Sequence, residues 1–222
     1  MFNKLAPIAF VAFAMTSASV LSASAQTTTA TGVTFSGSAT QAPADYSINL
    51  GSSGLTGLVS NMPMSINYGA VTVSAAFTGS SGVYSGSTTN SASPTGVTGN
   101  YFTAVSGSVS LDFSSELKRF SMQWGTPDAT TNGLAFYNGS TLIASYSGAD
   151  RIAMGGTYSD FSFAETGFTR VVATGGKFEF ANVTFGDAVA APDAAPIPLN
   201  AASLGGLMSF LMMLAMRGKG GT

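Results

Sequence analysis

Leu134-Ala135-Phe136-Tyr137-Asn138-Gly139-Ser140-Thr141-Leu142-Ile143-Ala144-Ser145-Tyr146 is the stretch whose reading decides the fold. Two short apolar runs flank a turn that opens with Asn-Gly. Both residues of that pair tolerate positive φ, so the chain reverses there and the runs pair as a β-hairpin. Upstream, Gly125 to Gly133 is a polar loop holding Pro127 and Asp128. Before it, Leu117 to Trp124 reads as a strand with Phe120, Met122 and Trp124 on one face. Ser108-Val109-Ser110-Leu111-Asp112-Phe113 alternates apolar and polar with period two, the mark of a half-buried strand. Downstream, Phe168 to Ala173, the pair Gly175-Gly176, and Phe178 to Phe185 predict a second hairpin. In it Phe178 and Phe180 point inward, then, past a bulge, Val183 and Phe185. Glu179 points outward and pairs with Arg170 across the hairpin.

The first half is less sharply written. Val71 to Phe77 and Tyr46 to Leu50 alternate and predict strands, and Val33 to Phe35 predicts one in a Thr- and Ser-rich lead-in. Residues 79–99 are nearly all Gly, Ser and Thr, with Pro94 near the end. They read as a long loop carrying a short strand at Val83-Tyr84, and as the part expected to move most. No helix is expected outside the termini, and no fixed-period repeat points to a solenoid. Short strands separated by turn signals predict an all-β fold, a jelly-roll-like β-sandwich, spanning residues 26–194.

Composition narrows the chemistry. The 222 residues include no cysteine and no histidine. This removes disulfides, Ser-His-Asp and Cys-His catalysis, and the usual zinc sites. Residues 26–194 carry all ten acidic residues but five of the eight basic ones (Lys118, Arg119, Arg151, Arg170 and Lys177). The lack of a basic patch argues against nucleic acid and anionic lipid as partners.

Both ends read as signals. In residues 1–25, Lys4 supplies a charge, Leu5 to Val20 an apolar region, and Ala23-Ser24-Ala25 a small-residue cleavage site before Gln26, the pattern of a secretory signal peptide. Residues 195–222 begin with Pro196-Ile197-Pro198-Leu199. An apolar run to Met216 follows, and the basic stop Arg217-Gly218-Lys219 comes last. A helix of some 18 residues is roughly 27 Å long, enough to cross a hydrocarbon core. Arg217 and Lys219 would stay on the cytoplasmic side and leave everything before Pro196 outside.

This tail resembles the PEP-CTERM type of bacterial sorting signal, in the variant that reads Val-Pro-Leu-Pro-Ala. Ile197, Pro198, Leu199, Asn200 and Ala201 stand in that place, Asn200 where the family has its second proline. Residues 120–185 also resemble the C-terminal half of many such surface proteins. The matching pieces are Phe120 to Gly125, Asp128, Asn132, Leu134 to Gly139, and Phe178-Glu179-Phe180-Ala181-Asn182-Val183, with Ala181 in place of the usual Asp. The resemblance implies export in a Gram-negative bacterium, removal of the leader by signal peptidase, an inner-membrane precursor and cleavage near Pro198 by an exosortase. The destination it implies is the cell surface or an extracellular polysaccharide matrix. It implies no activity.

The residues themselves offer few alternatives. Glu116, Asp128, Glu165 and Glu179 are the carboxylates from which a glycosidase pair would be drawn, and each has a simpler reading in a turn, a loop or a strand face. Trp124 can stack on a sugar if exposed, but it continues the Phe120 and Met122 face and reads as core. Asp128, Thr130, Thr131 and Asn132 form an oxygen-rich loop with one carboxylate, too few for a typical calcium site. Asn138-Gly139-Ser140 fits a glycosylation sequon that turn chemistry already explains. The expectation is a non-enzymatic surface or matrix protein with no cofactor, metal or catalytic residue. The alternative is a carbohydrate-binding module using Trp124, Asp128, Asn132 and Tyr137.

Overall fold

The computed structural model describes residues 28–29, 31–89 and 91–187. Period-two alternation and frequent turn residues produce fifteen strands and one short helix among them. In chain order these are β1 (Thr28–Thr29), β2 (Val33–Ser38), β3 (Tyr46–Ser47), β4 (Gly57–Ser60), β5 (Met64–Asn67), β6 (Thr72–Phe77), β7 (Gly82–Ser85) and β8 (Asn100–Ala104). Then come β9 (Gly107–Leu117), β10 (Arg119–Trp124), β11 (Gly133–Asn138), β12 (Thr141–Ser147), α1 (Gly148–Met154), β13 (Tyr158–Phe163), β14 (Phe168–Gly175) and β15 (Phe178–Gly186).

All pairings are antiparallel. The first sheet runs β1-β12-β11-β14-β9-β6-β5 and the second β2-β13-β10-β15-β8-β7-β4, with β3 joined to β15. The fold is all-β, and the inward faces of the two sheets share one core. Val73, Leu111, Phe136 and Val171 from the first sheet meet Phe102, Phe120, Phe180 and Phe185 from the second. The rings interlock edge to face: Phe120 lies 5.6 Å from Phe136 at 79°, and Phe136 lies 5.3 Å from Phe168 at 73°. Each fully buried Phe contributes on the order of 1.5–3 kcal/mol through removal from water.

The deciding hairpin forms as read. β11 and β12 pair from Gly133↔Ser147 to Asn138↔Thr141, and Gly139 turns the chain at φ 58. The bulge in β15 is also present. Ser121 pairs with Thr184 but Gln123 with Ala181, so β15 carries one extra residue, and Asn182 takes φ 49 there.

The second hairpin does not form. β14 lies in the first sheet between β11 and β9, whereas β15 lies in the second between β10 and β8. Gly175 and Gly176 carry the chain from one sheet to the other. Gly175, at φ 142, passes so close to Thr131 that a Cβ there would sit 2.4 Å from the Thr131 carbonyl oxygen. Arg170 and Glu179 therefore never face each other. Arg170 pairs with Asp112 of β9 at 2.5 Å, and Glu179 is buried under a loop.

Strands β4, β5 and β8 form where no strand was expected, and Tyr46 to Leu50 forms only the two-residue β3. Helix α1 was also not expected. Its start is a capping box: Ser147 Oγ accepts from the Asp150 N–H, and the Asp150 carboxylate accepts from the Ser147 N–H at 2.7 Å. Buried Arg151 closes its other end, donating to the carbonyls of Gly155 at 2.6 Å and Gly156 at 2.5 Å. Among the described residues no helix is long and apolar enough to cross a membrane. The signal peptide and the sorting tail both lie outside them.

Candidate functional site

The residues singled out from sequence do not converge. Trp124 ends β10 on the core side, 2% exposed, with its ring stacked 4.2 Å from that of Phe178. It is core, as its strand face implied, and has no surface to offer a sugar. Asp128 and Asn132 close the loop after β10 upon itself. The Asp128 N–H donates to Asn132 Oδ1 at 2.8 Å, and the Asp128 carboxylate accepts from the Thr130 N–H, the Thr130 hydroxyl and the Thr131 N–H. Those donors hold the Asp128 carboxyl below its usual range. Asn132 is 2% exposed. Tyr137 is half-buried on the outer face of the first sheet, in register with Arg170. Asp128 and Asn132 thus share a loop, while Trp124 and Tyr137 belong to different sheets.

The four carboxylates considered for hydrolysis are equally scattered. Glu116 of β9 accepts from Asn138 Nδ2 at 3.0 Å and from the Gly167 N–H at 2.7 Å, tying three chain segments together. Glu165 is exposed in the β13–β14 loop. Glu179 sits on the outer face of the second sheet, yet is only 2% exposed. Among the described residues no three acidic side chains gather to hold a metal ion. Ala23, Ala25, Ile197, Pro198, Leu199, Asn200, Ala201, Arg217 and Lys219 all lie outside the described residues.

The feature that sequence reasoning missed is what buries Glu179. The Gly-, Ser- and Thr-rich segment after β7, expected to be the most mobile part, lies as a strap across the outer face of the second sheet. Polar side chains of that face hold it. The Ala92 N–H donates to Glu179 Oε1 at 3.0 Å, and Gln123 Nε2 donates to the Thr95 carbonyl at 2.6 Å. Ser91 Oγ bonds both the Tyr101 hydroxyl, at 3.1 Å, and the Thr103 hydroxyl, at 2.7 Å. Val97 packs on a small second cluster of Tyr84, Tyr101 and Ala181. Burial raises the Glu179 pKa, against the opposing pulls of the Ala92 N–H and Lys177. The one sequence signal for this arrangement is the set of polar residues on outward positions of β8 and the middle of β10. A solvated face would carry charge there, whereas Tyr101, Thr103, Ser121 and Gln123 are neutral.

Beside the strap the same face opens into a cleft of about 410 Å³. Its walls are residues 96–100 of the strap end and residues 47–51 after β3, and its floor is residues 181–184 of β15. The bulge creates the opening. β15 pairs with β8 as far as Phe180 and with β3 from Thr184, so neither neighbour reaches Asn182.

No family model matches the chain, no curated protein matches it, and no solved structure matches it.

Proposed function

We propose that the chain is an exported, non-enzymatic surface or matrix protein, held in the inner membrane by its tail until an exosortase cuts near Pro198. The observation that carries this reading is the fixed order of the last residues. A Pro-punctuated motif, Pro196 to Leu199, precedes an apolar run ending at Met216, and Arg217 and Lys219 follow. Proline keeps the motif extended and readable, the apolar run is long enough to span, and the basic pair sets the orientation. The leader-like residues 1–25 supply the export step that such a tail requires.

The finer fold that accompanies this reading is a jelly-roll-like β-sandwich. Support comes from the alternation of successive strands between the sheets: β8 in the second, β9 in the first, β10 in the second, then β13, β14 and β15 alternating again. A non-enzymatic role accords with the structural work that Glu116, Asp128 and Glu179 each perform.

Intact mass of the native protein, after separation of inner membrane, outer membrane and medium, tests the reading. A C-terminus near Pro198, found outside the inner membrane, is the expected result. A chain running to Thr222 and confined to the inner membrane of cells with a working exosortase would overturn it. Pro198→Ala with Leu199→Ala is expected to retain the full-length form in the inner membrane, and Arg217→Ala with Lys219→Ala to disturb orientation and retention.

A further inference from the structure

We infer that the cleft between the strap and the β3 segment is a binding site for a neutral saccharide chain. None of its lining residues is charged. The sequence that builds both walls has no Asp, Glu, Lys or Arg anywhere between Asp45 and Asp112. Phosphate, carboxylate or ammonium ligands need an opposite charge or a metal to replace their hydration, and the lining supplies neither. An extended peptide is also disfavoured. Asn182, at φ 49, breaks the ladder at the point where an added strand would have to pair.

The lining does supply fixed, uncharged hydrogen-bonding groups. Asn182 spends its amide nitrogen inward, donating to Gln123 Oε1 at 2.8 Å. Gln41 spends its own on the Asn182 carbonyl. Each is held in place by that bond and keeps its amide oxygen as an acceptor and its second N–H as a donor. Asn49 is arranged the other way. Its oxygen is capped by the Gly51 N–H at 2.8 Å, which leaves the amide nitrogen as donor. The exposed Thr98 hydroxyl adds a group that can do either. Acceptors and donors pre-set in one cleft, without charge, match a ligand whose own groups are neutral hydroxyls. The volume lies within the range of ligand clefts, about 300–1,000 Å³. Phe102 on the floor is 1% exposed, so recognition rests on hydrogen bonds and not on ring stacking.

This site does not depend on the tail. A chain that binds saccharide but keeps its C-terminus uncut would sink the export reading and leave this one standing. The experiment is titration of the purified full chain, in a detergent without a sugar headgroup, with maltohexaose, cellohexaose, dextran and galactomannan. Alginate is the anionic comparator. Saturable binding of at least one neutral probe, in preference to alginate, is expected. Two variants test the location. Asn182→Gly keeps the positive φ and removes the acceptor. Thr98→Arg places bulk and charge at the exposed mouth, where folding does not depend on the side chain. Each is expected to weaken binding about tenfold, Thr98→Arg at an unchanged melting temperature and Asn182→Gly with some loss of stability, because it also removes the bond to buried Gln123. Failure of all four neutral probes to bind overturns the inference. So does tighter binding of alginate by the unsubstituted chain, or neutral-glycan binding that neither variant weakens.

Discussion

Glu179 is the residue whose behaviour departs furthest from its sequence context. In an alternating strand it reads as an outward, solvated charge, and it does point outward, but onto a face that the strap covers. Burial raises its pKa from the ordinary 4.5. Below that value the carboxyl is protonated in both folded and unfolded chains. As the pH rises through it, the unfolded chain ionises first while the folded one still holds its proton, so stability falls until the raised folded value is passed. Glu179→Gln keeps the acceptor for the Ala92 N–H and cannot ionise. It is expected to flatten this decline in a series of melting temperatures taken from pH 4 upward, and an unchanged slope would assign the decline elsewhere. Asp128 has the opposite sign. Its carboxyl is held below the ordinary 3.8, so its contribution is present above that value and fades as the pH falls through the lower folded one. Trp124 behaves as its sequence position implied. Trp124→Ala empties a stacked core site and is expected to cost about 3–5 kcal/mol by denaturant titration. As the only tryptophan, and buried, it is expected to emit at short wavelength in the native protein and to shift red on unfolding, which fluorescence during the same titration checks.

At the scale of elements, local chemistry was legible and long-range partnership was not. Asn138-Gly139 carries its turn within two residues, so β11 and β12 could be paired from sequence. Gly175-Gly176 looks like the same kind of signal. Yet a glycine pair only permits a change of direction, and nothing in residues 168–185 says whether the returning strand joins its predecessor's sheet or the facing one. The partners that settle it, β9 and β11 for β14, and β8 and β10 for β15, are distant in sequence. β4 and β5 were lost in Gly- and Ser-rich surroundings because their propensity is weak and their pairing is tertiary, whereas Tyr101, Phe102 and Thr103 of β8 carry a strand propensity that was legible. Helix α1 was legible but overlooked. Ser147-Gly148-Ala149-Asp150 is a capping box in which Asp takes the third position. Ser147→Ala is expected to cost about 1 kcal/mol, measured by urea titration. Gly148→Ala should cost more than Ser147→Ala. A Cβ there would lie 2.0 Å from the Asp128 carbonyl oxygen, and backbone from either the helix or the Asp128 loop would have to move.

For the whole molecule, charge is distributed as unevenly as shape. The stretch between Asp45 and Asp112 has no Asp, Glu, Lys or Arg, while the described charged side chains other than Asp45 lie from Asp112 onward, on strands, loops and α1. This one asymmetry has two consequences. It leaves the cleft beside the strap neutral, and it leaves two sheet edges unguarded. β4 ends the second sheet, β5 ends the first, and a short turn joins them, so both free edges lie on one side of the molecule. Natural sheets blunt such edges with Lys, Glu or Pro directed at a would-be partner strand. Here Pro63 in the turn is the one such device. Around it Leu55, Leu58 and Met62 stand 60%, 47% and 72% exposed. A charge placed on this edge should therefore act on association and leave the fold unchanged. Leu58→Lys is the apt substitution: Leu58 lies on the outer face over Gly82, where a lysine stem can take the same path and carry its ammonium into water. The expected outcome is an unchanged melting temperature together with a rise in the protein concentration at which light scattering departs from that of a monomer. If the onset does not move, the uncharged edge is not where copies meet. If the melting temperature falls by several degrees, Leu58 contributes to packing that its exposure does not reveal.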